Sequence, residues 1–129
     1  MQKFLVDTNV WIDFLNKREN AIDLINKLTQ TGEVFSSILT IIELRAGWTD
    51  EKSRHFLPIF YAQTKIIDIS IEIAELAGRF LQVYKTKGIS LSTVDTIIGS
   101  TAIMENCQLV TGNKKDFPMP EIKLYEIEE

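Results

Sequence analysis

Short apolar runs alternate with longer amphipathic stretches along the whole chain. The runs are rich in branched and aromatic residues and favour short buried strands. They are residues 3–7, 34–36, 65–68 and 109–110. Strands that alternate with helices indicate parallel pairing through right-handed crossovers. The sequence therefore predicts an α/β fold, a three-layer α/β/α sandwich with four or five short parallel strands.

Helical spacing of apolar residues predicts the remaining elements. The predicted helices are residues 10–15, 22–28, 40–47, 50–61, 70–85 and 92–105. Gly32 and Gly88 are each expected to end the preceding helix, as glycine often does beyond a last turn. Pro58 is expected to interrupt its helix because proline lacks the amide hydrogen. A fifth strand is possible at residues 122–125, on the edge of the sheet.

Four acidic residues are the most informative polar positions. Asp7, Glu43, Asp95 and Asp116 are far apart in sequence. Each lies at or just past the end of a predicted strand, or near the start of a predicted helix. The carboxyl ends of parallel strands meet at one edge of the sheet, where ligands bind in folds of this class. Clustered carboxylates need a compensating charge, so the pattern predicts a site for Mg²⁺ or Mn²⁺.

Each of the four acids also has a purely structural explanation. Asp7 could simply cap the first helix. Thr40 with Glu43, and Ser92 with Asp95, have the spacing of a capping box. The last acid could form an Asx turn before the next proline. Four independent caps need not converge on one edge, however, and a helix N-terminus also favours an anion that faces a metal.

Carboxylates that hold metal ions suit phosphodiester hydrolysis, because the metal activates water and stabilises charge on phosphate oxygens. The sequence offers no competing chemistry. His55 is the only histidine and Cys107 the only cysteine, which argues against zinc and against a Ser-His-Asp triad. The six glycines never form a phosphate-binding P-loop motif.

Composition sets the remaining bounds. Residues 1–129 are expected to form a single domain, of which 45% of residues are apolar. The net charge of −4 is unusual for a nucleic-acid-binding protein, but the four acids account for all of it. The first apolar stretch is too short for a signal peptide, and a lone cysteine suits a reducing compartment. We expect a cytoplasmic protein with no membrane partner.

Four sequence blocks resemble the PIN-domain nuclease family, and most closely its small VapC-type toxin ribonucleases. The matching blocks are residues 4–12, 37–47, 94–102 and 109–117. The resemblance implies a metal-dependent endoribonuclease whose catalytic, metal-binding residues are Asp7, Glu43, Asp95 and Asp116. Supporting positions in this resemblance are Asn9, Thr111 and Asn113. It also implies an RNA substrate, a cognate antitoxin that blocks the site, and a toxin homodimer.

The chain departs from the family pattern in the last block. Gly112 stands where the family often has arginine or another long side chain. Asn113 is an amide rather than an acid, so the fourth carboxylate falls to Asp116. This position is the one at which contact with the metal through water is expected.

Two other functions are compatible with an α/β domain that carries acidic residues. A receiver-like domain, phosphorylated on an aspartate, normally has paired acids at the end of its first strand, whereas Asp7 is followed by Thr8. A catalytically silent PIN scaffold would bind a partner protein without cleaving RNA. Metal-dependent cleavage distinguishes the nuclease from both alternatives.

Overall fold

The chain folds into alternating strands and helices in a computed structural model, which describes residues 1–127. The last two residues of the predicted domain lie outside the described residues. The elements, in chain order, are β1 (Gln2–Val6), α1 (Thr8–Leu15), α2 (Glu19–Thr31), β2 (Gly32–Ser37), α3 (Ile38–Ala46), α4 (Asp50–Gln63), β3 (Lys65–Ile67), α5 (Ile71–Thr86), α6 (Thr93–Met104) and β4 (Gln108–Val110), followed by a 3₁₀ turn at Lys114–Asp116.

The four strands form one parallel sheet in the order β3-β2-β1-β4. This arrangement confirms the predicted α/β class with a four-stranded sheet. The possible fifth strand is reduced to a single parallel bridge between Leu109 and Leu124. Two backbone hydrogen bonds of 2.8 Å, from Leu109 N to Lys123 O and from Tyr125 N to Leu109 O, hold this segment against β4.

A separate apolar core lies on each face of the sheet. Side chains alternate along β1, so that Phe4 and Val6 enter one core and Leu5 enters the other. The first core also takes buried residues from α1 to α4, including Trp11 and Phe60. The second core is covered by α5 and α6. None of the helices in residues 1–127 is long and apolar enough to cross a membrane.

Gly32 ends α2 as predicted, since it follows the last helical residue and its amide donates to Leu28 O. Its φ of −177° is extended rather than left-handed, however, and it also opens β2. A Cβ atom at this position would lie 2.3 Å from the carbonyl oxygen of Gln2 and 2.9 Å from the ring of Phe4. Glycine is therefore required by close strand approach. Gly88 lies just beyond the end of α5, as predicted, and its φ of +77° is the left-handed conformation that glycine adopts readily there.

Helix α4 runs through Pro58 without a break, so the predicted interruption is wrong. Proline removes only the bond from its own nitrogen to the carbonyl four residues earlier, at Arg54. Both residues are exposed, so water can satisfy that carbonyl.

Thr49 strengthens the start of the helix, because its hydroxyl accepts a hydrogen bond from Lys52 N at 3.2 Å.

Gly32→Ala should destabilise the protein by about 1–3 kcal/mol, because the new methyl group meets backbone that cannot move freely. Gly78→Ala is the matched control. Gly78 lies in α5, and no neighbouring atom lies within 4 Å of the place that a methyl group would take. Alanine there should stabilise the helix by about 0.5–1 kcal/mol. Urea unfolding of the three proteins measures both changes. Equal stabilities for Gly32→Ala and wild type would contradict the close-approach explanation.

Candidate metal centre

The sheet topology brings the acidic residues to one edge of the molecule. Asp7 follows β1 directly, and α3, which carries Glu43, follows β2 directly. Asp116 lies on the short turn after β4. Asp95 comes from the opposite layer, in the first turn of α6. The four carboxyl groups are therefore supplied by four separate elements whose ends share that edge.

Asp7 is the most firmly held of the four. It is buried, with 6% of its surface exposed, although its side chain is ionisable. Its Oδ1 accepts a hydrogen bond from Thr8 N at 2.9 Å, which caps α1 as predicted. Its Oδ2 accepts from the hydroxyl of Thr111 at 2.8 Å and from the amide of Asn9 at 3.4 Å. These three donors fix the direction in which the carboxylate points.

The predicted supporting residues lie around this carboxylate. Thr111 Oγ1, which donates to Asp7, itself accepts a hydrogen bond from Asn113 N at 3.0 Å. Asn9 Oδ1 accepts from Gly112 N at 3.3 Å. The segment after β4 is thereby tied to the first turn of α1. Asn113 acts here through its backbone amide, whereas Thr111 and Asn9 contact Asp7 directly.

Glu43 lies beyond the first turn of α3, and its capping-box interpretation is wrong. Ser37 is the residue that caps α3, because its hydroxyl accepts from Leu39 N at 3.1 Å. Thr40 is therefore inside the helix rather than at its start. The carboxylate of the exposed Glu43 instead accepts a hydrogen bond from Thr8 Oγ1 at 2.6 Å, across the interface with α1.

Asp95 lies in the first turn of α6, close to the three other acids. Ser92 caps this helix by accepting from Asp95 N at 3.3 Å, in agreement with the predicted cap. Desolvation of the half-buried carboxyl group raises the pKa of Asp95 to about 6, and repulsion from Asp7, Asp116 and Glu43 contributes to the rise. All four acids thus lie within electrostatic reach of one another.

Asp116 acts on the same region through its charge. It ends the turn at Lys114–Asp116 and is half-buried, and its side chain makes no hydrogen bond within residues 1–127. Burial raises the pKa of Asp7, and repulsion from Glu43 and Asp116 adds to this rise against the opposing hydrogen bonds of Thr111 and Thr8. Because the Asp116 side chain accepts no hydrogen bond from residues 1–127, Asp116 does not form an Asx turn.

The four carboxylates fit a divalent cation in donor chemistry and in charge. None of them forms an ion pair with a basic residue of the described part of the chain, whose ion pairs involve other acids. Carboxylate oxygens are the ligands that Mg²⁺ and Mn²⁺ prefer. As the side chains are arranged in residues 1–127, however, no group of three or more acidic, histidine or cysteine residues is placed to hold a metal ion. The four acids affect one another through their charges, and binding of a cation would require their carboxylates to move closer together.

An open cleft of about 1050 Å³ has Asn9 and Thr111, which contact Asp7, in its wall, but none of the four acids lines it. Both charge signs line it, through Asp13, Asp23, Lys27 and Lys114.

Sequence reasoning missed Thr8, whose hydroxyl contacts Glu43. Its position directly after Asp7 was the one sequence feature that could have indicated a role at the site.

Relatives with this fold are known. The chain is 34% identical to Ribonuclease VapC1 of Methanocaldococcus jannaschii, over 89% of this chain and 79% of the relative. The structure of VapBC2 from Rickettsia felis bound to a promoter DNA fragment superposes with a TM-score of 0.86 at 26% identity, covering 96% of this chain and 98% of that one. A toxin–antitoxin complex from Klebsiella pneumoniae gives 0.76 at 30% identity, covering 95% and 98%.

The family description that matches the sequence is the PIN domain, over residues 4–120. This span runs from β1 to the segment beyond Asp116 and so includes all four acids. The order of elements, the parallel sheet and the identity to the curated relatives agree with it. The chain therefore belongs to the PIN domain family.

Proposed function

We propose that this protein is a metal-dependent endoribonuclease that hydrolyses RNA phosphodiester bonds, and that it is the toxin of a type II toxin–antitoxin pair. One observation carries the proposal. A PIN fold brings Asp7, Glu43, Asp95 and Asp116 within mutual electrostatic reach, without a basic partner in residues 1–127. The names of its relatives, among them Ribonuclease VapC1, support RNA as the substrate.

In this proposal Asp7, Glu43 and Asp95 hold Mg²⁺ or Mn²⁺ directly, and Asp116 contributes the fourth carboxylate. The bound ion supplies Lewis-acid stabilisation of phosphate charge and a water of lowered pKa. Thr111 and Asn9 keep the Asp7 carboxylate in one orientation through their hydrogen bonds. Such outer contacts commonly tune how well a ligand serves its metal.

The electrostatics of the acids favour cation binding at neutral pH. Asp95, with a pKa of about 6, is mostly ionised at pH 7. The charged form carries an energetic cost from desolvation and from repulsion by three other carboxylates, and a divalent cation relieves that cost. Asp95 should therefore bind a proton in competition with the metal as the pH falls below 6.

We also infer a cognate antitoxin partner, a toxin homodimer and a cytoplasmic location. The Klebsiella structure is a toxin–antitoxin complex whose matched chain is covered over 98% of its length. Exposed apolar residues such as Ile42 and Ile71, 62% and 77% exposed, offer surface for protein contacts. The buried free thiol of Cys107 suits a reducing compartment. Light scattering on the purified chain tests the dimer, and a strictly monomeric protein would contradict it.

A silent PIN scaffold remains the competing function, since the receiver-like alternative has no support once the family is known. The scaffold would bind its partner but leave RNA intact. Incubating purified protein with single-stranded RNA, and with Mg²⁺, Mn²⁺ or EDTA, separates the two. Cleavage that requires the metal supports the nuclease, whereas intact RNA under every condition supports the scaffold.

Asp7→Asn combined with Asp95→Asn should reduce the rate of metal-dependent RNA cleavage by more than about 100-fold. This exceeds the loss typical when a residue that only orients a metal ligand is replaced. The reason is that two of the proposed ligands lose their charge. Rates measured on a labelled RNA with saturating Mn²⁺ provide the test.

Glu33→Gln is the control for this pair. Glu33 lies near the start of β2, at the opposite end of the strand from α3, and pairs with Lys65 at 2.9 Å. Its loss should change the rate by no more than about twofold, as for most surface substitutions. Cleavage that survives in the double variant, or that continues in EDTA, would refute the proposed site.

Asp95→Asn should stabilise the protein at pH 7.5 in EDTA. Because the pKa of Asp95 is raised from 3.8 to about 6, the folded state loses stability as the pH rises through this window. The neutral amide avoids that loss, on the order of 1 kcal/mol after solvent screening, or about 3 °C in Tm. At pH 4 the difference should be close to zero.

Thermal unfolding at both pH values measures this effect. Glu121→Gln, at an exposed carboxylate that is not among the charges acting on Asp95, serves as the control and should show no such gain. If Asp95→Asn has the same Tm as wild type at pH 7.5, the ionised Asp95 carboxylate does not destabilise the folded state.

Brief expression of the chain without its partner should produce new RNA 5′-phosphate ends in the cell, because water attack with a 3′-hydroxyl leaving group yields that end. Sequencing of RNA ends identifies both the class of RNA and the cleaved sequence. The double aspartate variant, expressed to the same level, supplies the background. Identical ends from the two proteins would contradict cellular ribonuclease activity.

A further inference from the structure

A chain of three side chains connects α1 to α3 at the edge of the sheet. Thr8 Oγ1 lies 2.6 Å from Glu43 Oε1 and 3.0 Å from Thr40 Oγ1. Both threonines are buried, with exposed fractions of 6% for Thr8 and 0% for Thr40. Glu43, by contrast, is exposed and lies at the end of this chain of contacts.

The direction of both hydrogen bonds follows from the number of protons. An ionised carboxylate only accepts, so the single hydroxyl proton of Thr8 is used in the bond to Glu43. Thr8 must then accept from Thr40, which becomes the donor of the second bond. The result is a directed relay from Thr40 through Thr8 to Glu43. Its terminal bond is short because the acceptor is charged.

Thr40 behaves differently from other helical threonines of this chain. A threonine inside a helix commonly donates to a carbonyl of the preceding turn. Thr96 does so to Ser92 O at 2.6 Å, and Thr101 does so to Ile97 O at 2.8 Å. Thr40 instead reaches across to α1, so its hydroxyl serves the contact between the two helices.

The relay restricts the side chain at its end. A glutamate has several rotatable bonds, and an exposed one samples many rotamers unless a contact holds it. The Thr8 hydroxyl supplies that contact from the residue directly after Asp7, whose own carboxylate is fixed by Thr111. The positions of Asp7 and Glu43 are therefore coupled through the first turn of α1.

We propose that Thr8 and Thr40 are positioning residues, which hold the Glu43 carboxylate toward the metal through this hydroxyl relay. The inference rests on the proposed function, in which Glu43 is a metal ligand. It assigns to the two threonines a role in metal affinity as well as in packing. Each acts through Glu43 and not through contact with RNA.

The relay can be tested by Mn²⁺ titration calorimetry on the purified full chain, with kcat and KM for RNA cleavage measured alongside. Thr8→Val should weaken Mn²⁺ binding by about 10–100-fold, as expected for a residue that orients a metal ligand. It should lower kcat at limiting Mn²⁺ more than it changes KM for RNA. Thr8→Ser keeps the hydroxyl and should bind Mn²⁺ nearly as tightly as wild type.

A double-mutant cycle distinguishes positioning from general structural damage. In a Glu43→Gln background, Thr8→Val should cause no further loss of Mn²⁺ affinity, because the relay acts only through Glu43. A purely structural effect would lower affinity in both backgrounds. Thr40→Val in the same two backgrounds repeats the cycle if Thr8→Val does not fold. Thr101→Val, which removes a buried hydroxyl elsewhere, is the control for loss of a threonine.

Two results would overturn the relay. If Thr8→Val and Thr40→Val bind Mn²⁺ like wild type while Glu43→Gln does not, Glu43 is a ligand that needs no relay, and the proposed function stands. If Glu43→Gln itself binds Mn²⁺ and cleaves RNA like wild type, there is no ligand to position. In that case the relay fails, and Asp7→Asn shows whether the rest of the site fails with it.

Discussion

Parallel pairing of β1 with a neighbour on each side is the constraint on which the rest of the structure depends. A central strand of this kind is covered on both faces, and Phe4, Leu5 and Val6 are no more than 1% exposed. A polar side chain can therefore be placed only beyond the end of the strand, and the first such residue is Asp7. Because β2 and β4 run in the same direction, the segments that leave them reach the same edge, and their charges add there.

The Asp7 carboxylate can cap α1 and still offer an acceptor position to the proposed cation. Asp7 Oδ1 is occupied by the first amide of α1, and Oδ2 is occupied by a hydroxyl and a side-chain amide. An ionised carboxylate has about four acceptor positions, so three donors still leave room for a cation. The hydrogen bonds also lower the cost of keeping a buried charge. A helix cap at the end of a buried strand is therefore a good starting point for a metal ligand.

The sequence was sufficient wherever local pattern and burial agree. The four strands were predictable because buried parallel strands are continuously apolar, and Asp7 stood out as a charge at the end of one. The capping-box spacing of Thr40 and Glu43 is misleading because spacing alone does not reveal which of Ser37 and Thr40 starts the helix. The contact between Thr8 and Glu43 joins residues 35 positions apart, and no local spacing rule describes it.

The four carboxylates differ in how tightly the protein holds them, and the difference has a physical consequence. Asp7 has three donors and Glu43 has one, whereas Asp116 has no side-chain donor within residues 1–127. Repulsion opposes the convergence of all four, and a cation removes that opposition. Ion binding and final arrangement of the looser acids should then occur together, around the fixed reference that Asp7 provides. In the proposed site, Asp95 and Asp116 can adjust because Asp7 is held at the end of β1 by its hydrogen bonds.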